Sequence, residues 1–440
     1  MLSWFNYFLA LFRFSVVLQK KRSAWILLFV VLASSLLNAC GLQPFQPLDN
    51  LAASLTVPAY VCTLKIGVII NTTLPQAAAI RAAYELGQAE INAGDGVNGC
   101  QILLLLKEDQ NTSEGAVAAM RELIDKEQVL LALASTSDEI ALELAQEAEN
   151  RHLPLILAHN TNMIITQMGY QWVFRLASSS ETMLEIVFDW LQNANGSLPP
   201  PSLLSIYPYE PAGDALQSMF LVRAAQRGWS VLDGLTYRHG QKEYNMLLSA
   251  VRTINADVLF IFGGREEDLS LLLQQMADMR IRPKALILFT GSFTDLSFLT
   301  GAQFNVEGVV TVAQWAEQLP WKEKNGRNAT EFFRTLSNQS PQVTDYHALQ
   351  AYTALLVAED VLTKVLNRGR QNITPRLQGA LQSYNTSDSL WGSISFAANG
   401  QNNHDVILLQ RQERQFEVIY PVSYRTKPHL FPLPHLKDEQ

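Results

Sequence analysis

From residue 64 onward, the hydrophobic and polar positions fall into two alternating patterns. Short runs such as 64–70 (LKIGVII) are apolar almost throughout, the mark of strands buried on both faces. Between them, apolar positions recur at three- and four-residue spacing, as at Ile80, Tyr84, Gly87 and Ile91, and predict helices with one buried stripe. The first series predicts strands over 64–70, 101–106, 129–134, 155–158 and 172–176, separated by helices near 80–91, 117–124 and 140–148. A second series begins after Ser178, Ser179 and Ser180 with a helix near 181–191. Strands over 203–207, 229–232, 258–262, 285–289 and 308–312 follow, with helices over 213–227, 242–254 and 267–279 between them. Helices near 330–336, 346–366 and 375–383 then lead to short strands at 392–396, 406–410 and 417–420 without helices between them.

Regular alternation of strand and helix implies doubly wound α/β sheets with parallel strands. The strands are too many for one comfortable sheet and come in two series, so the expected fold class is α/β with two lobes. Ligands of such sheets bind beyond the carboxyl ends of the strands. The polar loop Glu108-Asp109-Gln110-Asn111, which ends the second strand, lies at that edge.

Composition narrows the function. The chain has 440 residues, of which 48% are hydrophobic and 17% charged, enough to bury a large core. Its net charge is −8 and no basic block occurs beyond the first few dozen residues, which argues against a nucleic-acid partner. That first segment is different. Arg13 and Lys20-Lys21-Arg22 precede an apolar run over 24–37, which ends in Leu37-Asn38-Ala39-Cys40. A basic stretch, an apolar run shorter than the ~20 residues of a bilayer span and a small residue read as an export signal. The ending resembles the lipobox of bacterial lipoproteins, with Cys40 as the lipidated residue; the alternative is an uncleaved membrane anchor. Either arrangement puts the body outside the cytoplasm, anchored to the bacterial cell membrane.

Only three cysteines occur. With Cys40 lipidated, Cys62 and Cys100 remain, each just ahead of a predicted strand. If those strands are parallel neighbours, both thiols lie at one sheet edge within bridging distance. The alternative is two separate buried thiols.

Residues 62–422 resemble the type I periplasmic binding proteins, in particular the branched-chain amino acid (Leu/Ile/Val) binding family of ABC importers. The resemblance is carried by LKIGVII, EINAGDGVNGCQILLLLKEDQNTSEGAVAAMREL, LPLILAHNT, GYQWVFRLASSS and WGSISFAANGQNNHDVILLQRQERQFEVI, in that order along the chain. It implies a clamshell of two lobes joined by three crossovers. Its segments would be a signal peptide or anchor (1–39), a lipidated tether (40–61), lobe 1 (62–178 and 313–388), lobe 2 (179–312 and 389–422) and a tail (423–440).

The same resemblance locates the ligand site and marks departures from the family. The paired serines that grip a ligand carboxylate fall on Ser137 and Asp138, so a carboxylate stands where a donor is usual. Thr136 and Glu139 have capping-box spacing, a structural role for the same stretch. Thr161 matches the ligand-contacting threonine, with His159 and Asn160 replacing small residues. In lobe 2 the usual aromatic falls on Ala212, for which Tyr209 or Tyr207 could substitute. The acid that pairs with the ligand ammonium falls near Gly291, which lacks a carboxylate. Asp138 and Arg265 together would reverse the family's charge arrangement. The candidate ligand-binding residues are therefore Ser137, Asp138, His159, Asn160, Thr161, Tyr209 and Arg265. No His-Glu-x-x-His, Gly-x-Ser-x-Gly or phosphate-binding loop occurs, so no enzymatic activity, cofactor or metal is expected. The expected function is capture of a small polar molecule, amino-acid-like or amide-like, for an ABC transporter permease. The alternative is an envelope lipoprotein using a decayed clamshell for sensing or protein contacts.

Overall fold

The computed structural model describes residues 62–263, 265–290, 306–339 and 346–433. The expected signal or anchor, Cys40 with its tether, Gly291 and the last residues of the tail lie outside these. Among the described residues no helix is long and apolar enough to cross a membrane.

The first lobe opens β1 (Thr63–Ile70), α1 (Ala77–Ala93), β2 (Gln101–Glu108), α2 (Ser113–Asp125), β3 (Ala132–Ser135), α3 (Asp138–Arg151), β4 (Leu155–Leu157), α4 (Ile164–Gln167) and β5 (Val173–Arg175). The second continues with α5 (Ser180–Asn195), β6 (Leu203–Pro208), α6 (Pro211–Gln226), β7 (Val231–Tyr237), α7 (Asn245–Ile254), β8 (Val258–Phe262), α8 (Glu266–Asp278), β9 (Ala285–Phe289) and β10 (Val310–Ala313). Helices α9 (Ala329–Gln339), α10 (Tyr346–Leu366) and α11 (Ile373–Gln382) follow, then β11 (Asn385–Thr386), β12 (Ile394–Ser395), β13 (Ile407–Gln412) and β14 (Gln415–Tyr420).

The five strands of the first series form an all-parallel sheet in the order β2-β1-β3-β4-β5. The second sheet has the order β14-β13-β10-β9-β8-β6-β7 and is parallel except for β13 and β14. The two-lobed α/β class inferred from the hydrophobic pattern is therefore the observed one. Each sheet is covered on both faces. One face of the first packs on α1, α9, α10 and α11 through Tyr84, Phe332, Leu355 and Leu377. The other packs on α2 and α3 through Met120, Leu123, Ile140 and Leu144. In the second lobe α7 and α8 cover one face, and α5 and α6 the other.

Register explains the disulfide. Thr63 pairs with Gln101 where β1 meets β2, so the residues one step earlier, Cys62 and Cys100, face each other. Their Cα atoms are 4.6 Å apart and the sulfurs are bonded.

Two details differ from expectation. Helix α4 and strand β11 are too short to carry a period and were not foreseen. The tail, at least to Leu433, is docked. Gln410 Nε2 donates to Leu430 O (3.0 Å) and Gln410 Oε1 accepts from Leu430 N (2.7 Å). Gln412 Nε2 reaches Pro428 O (2.9 Å), and His429 and Phe431 pack edge-on against Trp190. The tail thus forms a strap across the second lobe, held by two buried amides at the end of a buried strand.

Candidate functional site

The loops leaving β1, β2, β3 and β4 converge at the carboxyl edge of the first sheet. Asn71 after β1 donates to Asn111 Oδ1 (2.9 Å), and Asn111 N donates to Asp109 Oδ1 (2.8 Å). Asp109 is fully buried and its other oxygen has no hydrogen-bond partner among the described residues. Burial raises its pKa, against the backbone bond from Asn111 that lowers it.

Ser137 is the N-cap of α3: its backbone is extended and its hydroxyl accepts from Ile140 N at 3.5 Å. The capping box expected from Thr136 and Glu139 is not formed. Thr136 instead donates to Ser137 O (3.3 Å), because the helix starts one residue later than that spacing requires. This puts Asp138 in the first turn, where the helix dipole favours a carboxylate.

Asp138 is the hub of the cluster. Its Oδ1 accepts from Thr161 N (3.0 Å) and Asn160 Nδ2 (3.0 Å), and its Oδ2 accepts from the Thr161 hydroxyl (3.3 Å). Asn160 Nδ2 also donates to Thr136 O at 3.0 Å. His159 Nδ1 lies 2.9 Å from Gln350 Oε1, and its ring meets His347 edge-on at 5.0 Å. The structure thus brings together five of the residues singled out in the sequence: Ser137, Asp138, His159, Asn160 and Thr161.

It also adds residues that sequence reasoning missed. Gln350 and His347 come from the start of α10, where two polar side chains three positions apart interrupt a buried apolar helix. That interruption was the available signal. Arg175, at the end of β5, is fully buried. Its Nε donates to Gln401 Oε1 (2.9 Å), one Nη to Thr166 Oγ1 (3.0 Å) and the other to Asn162 O. Burial lowers its pKa to about 10, opposed by the charge of Asp138.

In lobe 2, Tyr209 is 61% exposed and its ring lies 5.0 Å from the Arg238 guanidinium. Arg265, the residue before α8, is exposed. Among the described residues no hydrogen bond, ion pair or ring contact joins either to the Asp138 cluster. A further polar group at this edge was not foreseen: His239 lies between Asp268 Oδ2 (2.9 Å) and Glu210 Oε2 (3.1 Å).

The crossovers adjoin the cluster. Thr161 O accepts from both the backbone N and the hydroxyl of Ser180, at 3.0 and 3.1 Å, at the start of α5. In the first crossover, Leu176 O accepts from Asn402 Nδ2 (3.0 Å) and Trp391 Nε1 (3.4 Å), and Ala177 O from Gln401 Nε2 (2.9 Å). Ser178 N donates to Gln314 Oε1 (2.5 Å) of the second, and His404 Nε2 donates to Gln314 O (2.6 Å). Side-chain amides therefore lash three chain segments together beside the ligand loops. A cavity of about 420 Å³ lies elsewhere, between α8 and the strap. Its walls include Lys284 and Gly308, which precede β9 and β10, so it opens at the opposite edge of the second sheet from the carboxyl-end loops.

Comparison with known proteins agrees with this architecture. An ABC transporter substrate-binding protein from Desulfitobacterium hafniense, solved in complex with Leu, superposes with a TM-score of 0.66 at 19% identity, over 81% of this chain and 99% of that one. The branched-chain amino acid transporter substrate-binding protein of Streptococcus pneumoniae in complex with isoleucine gives 0.65 at 16% identity, covering 82% and 100%. A solute-binding protein of Rhodopseudomonas palustris in complex with 3,4-dihydroxybenzoic acid gives 0.64 at 19% identity, covering 80% and 95%. At such identities the likeness establishes the fold. An amino acid binding protein of Pseudomonas aeruginosa is 23% identical over 224 residues, half of this chain; the match spans 58% of that relative's length. Residues 63–415 match the profile of the periplasmic binding protein family, and the chain belongs to that family.

Proposed function

We propose that the protein captures a small polar solute between its two lobes outside the cytoplasm and hands it to the permease of an ABC importer. The observation that carries this reading is the shared position of Thr161. Its amide and hydroxyl belong to the ligand-loop cluster, while its carbonyl holds Ser180 at the entrance to lobe 2. A solute that displaces the loop is thereby coupled to the hinge. The ligands named for the structural relatives, leucine, isoleucine and a hydroxylated benzoic acid, support a solute of that size. The lobes would divide as expected from sequence, with 62–178 and 313–388 in one and 179–312 and 389–422 in the other. Anchoring through Cys40 is part of the same proposal, and Cys40→Ser should release the protein from the membrane fraction.

The test is a thermal-shift screen of ligand-free protein against amino acids, amides, polyamines, aromatic acids and sugars. A ligand at a hundred times its dissociation constant stabilises the folded state by about 2.7 kcal/mol, a shift of several degrees. A second reading, contact with another envelope protein through a clamshell that no longer binds solute, is favoured by the way Asp138 occupies its own cluster. Silence across the whole library would select that reading.

A further inference from the structure

The first turn of a helix, with free N–H groups and a favourable dipole, is a ready dock for a carboxylate. At α3 the loop donors beside that dock are already taken. Asp138 takes the Thr161 amide, the Thr161 hydroxyl and the Asn160 amide, the three donors that a ligand carboxylate at this edge would use. A second carboxylate here would have to displace Asp138 or share donors with it against their mutual repulsion. Arg175 is not available to such a ligand, because its guanidinium is fully buried and directed to Gln401, Asn162 and Thr166, and its charge already acts on Asp138.

Two other groups in the same cluster point to a ligand. Asn160 is 2% exposed and its Oδ1 has no partner among the described residues. The orientation of that amide is set by its neighbours: Asp138 Oδ1 and Thr136 O both accept, so Nδ2 faces them and Oδ1 is the atom left over. Gln350 is fully buried, and its Nε2 likewise has no partner. With the proton of His159 on Nδ1, Gln350 Oε1 accepts it and Nε2 remains to donate. Asn160 follows His159, the partner of Gln350, so the two unfilled groups lie in the same loop cluster. Buried polar atoms left unpaired are costly, and a native site completes them.

One unfilled acceptor and one unfilled donor define the complement. A carboxylate cannot donate to Asn160 Oδ1 and an ammonium cannot accept from Gln350, so a charged ligand would need both groups, and its carboxylate would stand against Asp138. A group that does both without charge fits: a primary carboxamide or a urea, with its carbonyl toward Gln350 and its NH₂ toward Asn160. We infer that lobe 1 recognises an uncharged amide on the solute, with Asp138 excluding carboxylates. The inference rests on the capture reading and names the ligand class of that site.

Calorimetry on the ligand-free full chain with matched pairs, propionamide with propionate and benzamide with benzoate, tests it. The amide of at least one pair should bind at least tenfold more tightly than its acid. Asp138→Ser, which frees the Thr161 donors, should reverse that preference by at least tenfold. Gln350→Leu should lose the amide without gaining the acid, and circular dichroism would check that both variants are folded. Acids binding the unmodified protein as tightly as amides, or a ratio unmoved by Asp138→Ser, would overturn the inference and leave capture standing. So would a thermal-shift hit of another class with neither pair binding. If no pair binds either form and the thermal-shift screen is also silent, capture itself fails and takes the inference with it.

Discussion

Acidification should loosen the hinge through His404. This residue is buried, stacked on Trp391 at 4.5 Å and edge-on to Trp321 at 5.5 Å, and Nε2 is committed to Gln314 O. Desolvation lowers its pKa from 6.5 to about 4, against smaller opposing effects of the Gln314 bond and the charge of Asp405. The unfolded chain therefore binds a proton at His404 more readily than the folded one. Stability is fully present above pH 6.5 and is lost as pH falls toward 4. Between pH 7.5 and 4.5 this one residue removes about 2.5 kcal/mol, taking about 1.36 kcal/mol per pKa unit. Urea denaturation across that range, on the protein and on His404→Phe, isolates the effect. The variant starts less stable because Gln314 O loses its donor, but its decline with acid should be shallower by that amount. Equal slopes, or a folded-state titration of His404 near 6 by NMR, would refute the argument.

Three further outcomes follow from the geometry. Replacing both Cys62 and Cys100 by Ser should lower the unfolding free energy of the first lobe by about 4 kcal/mol, from the chain entropy released over a separation of 38 residues; a loss below about 1 kcal/mol in denaturant titrations would show that the bridge restrains little. Gly400→Ala should destabilise by more than about 2 kcal/mol, since Gly400 has φ +76° and a Cβ would sit 1.9 Å from the Val173 carbonyl, and an unchanged melting temperature would contradict it. Gln410→Leu strips Leu430 of both backbone partners, a loss of about 1–3 kcal/mol, and should expose the strap to trypsin after Arg425; resistance equal to that of the unaltered chain would mean that the strap is held elsewhere.

How much of this could be read from the sequence varies with the range of the interaction. Strands β1 and β8 announced themselves because burial on both faces leaves a nearly continuous apolar run, a local signal. The register of the disulfide also follows locally, since each cysteine immediately precedes a strand and the strands are neighbours. The first lobe-1 loops were located through resemblance, but not their chemistry. That a carboxylate stands at Asp138 is plain in the sequence. That it consumes Thr161's donors depends on a loop 23 residues away folding back over the helix start.

The part that stayed hidden is carried by amides. Gln350 lies 191 residues from His159, Gln401 lies 226 from Arg175, and Gln314 lies 136 from Ser178. Glutamine and asparagine have no fixed charge and no metal or nucleophile chemistry, so in a sequence they read as surface. Buried, they become the most directional groups available, because each offers a donor and an acceptor in one plane. At the hinge these amides are engaged by backbone groups and by the Arg175 guanidinium, so their removal should be felt as lost stability. At Gln350 and Asn160 one atom of each is left over, so substitution there should change affinity more than stability. Paired denaturation and binding data on Gln401→Leu and Gln350→Leu separate the two roles, and equal stability losses with no difference in binding would make the cluster part of the scaffold.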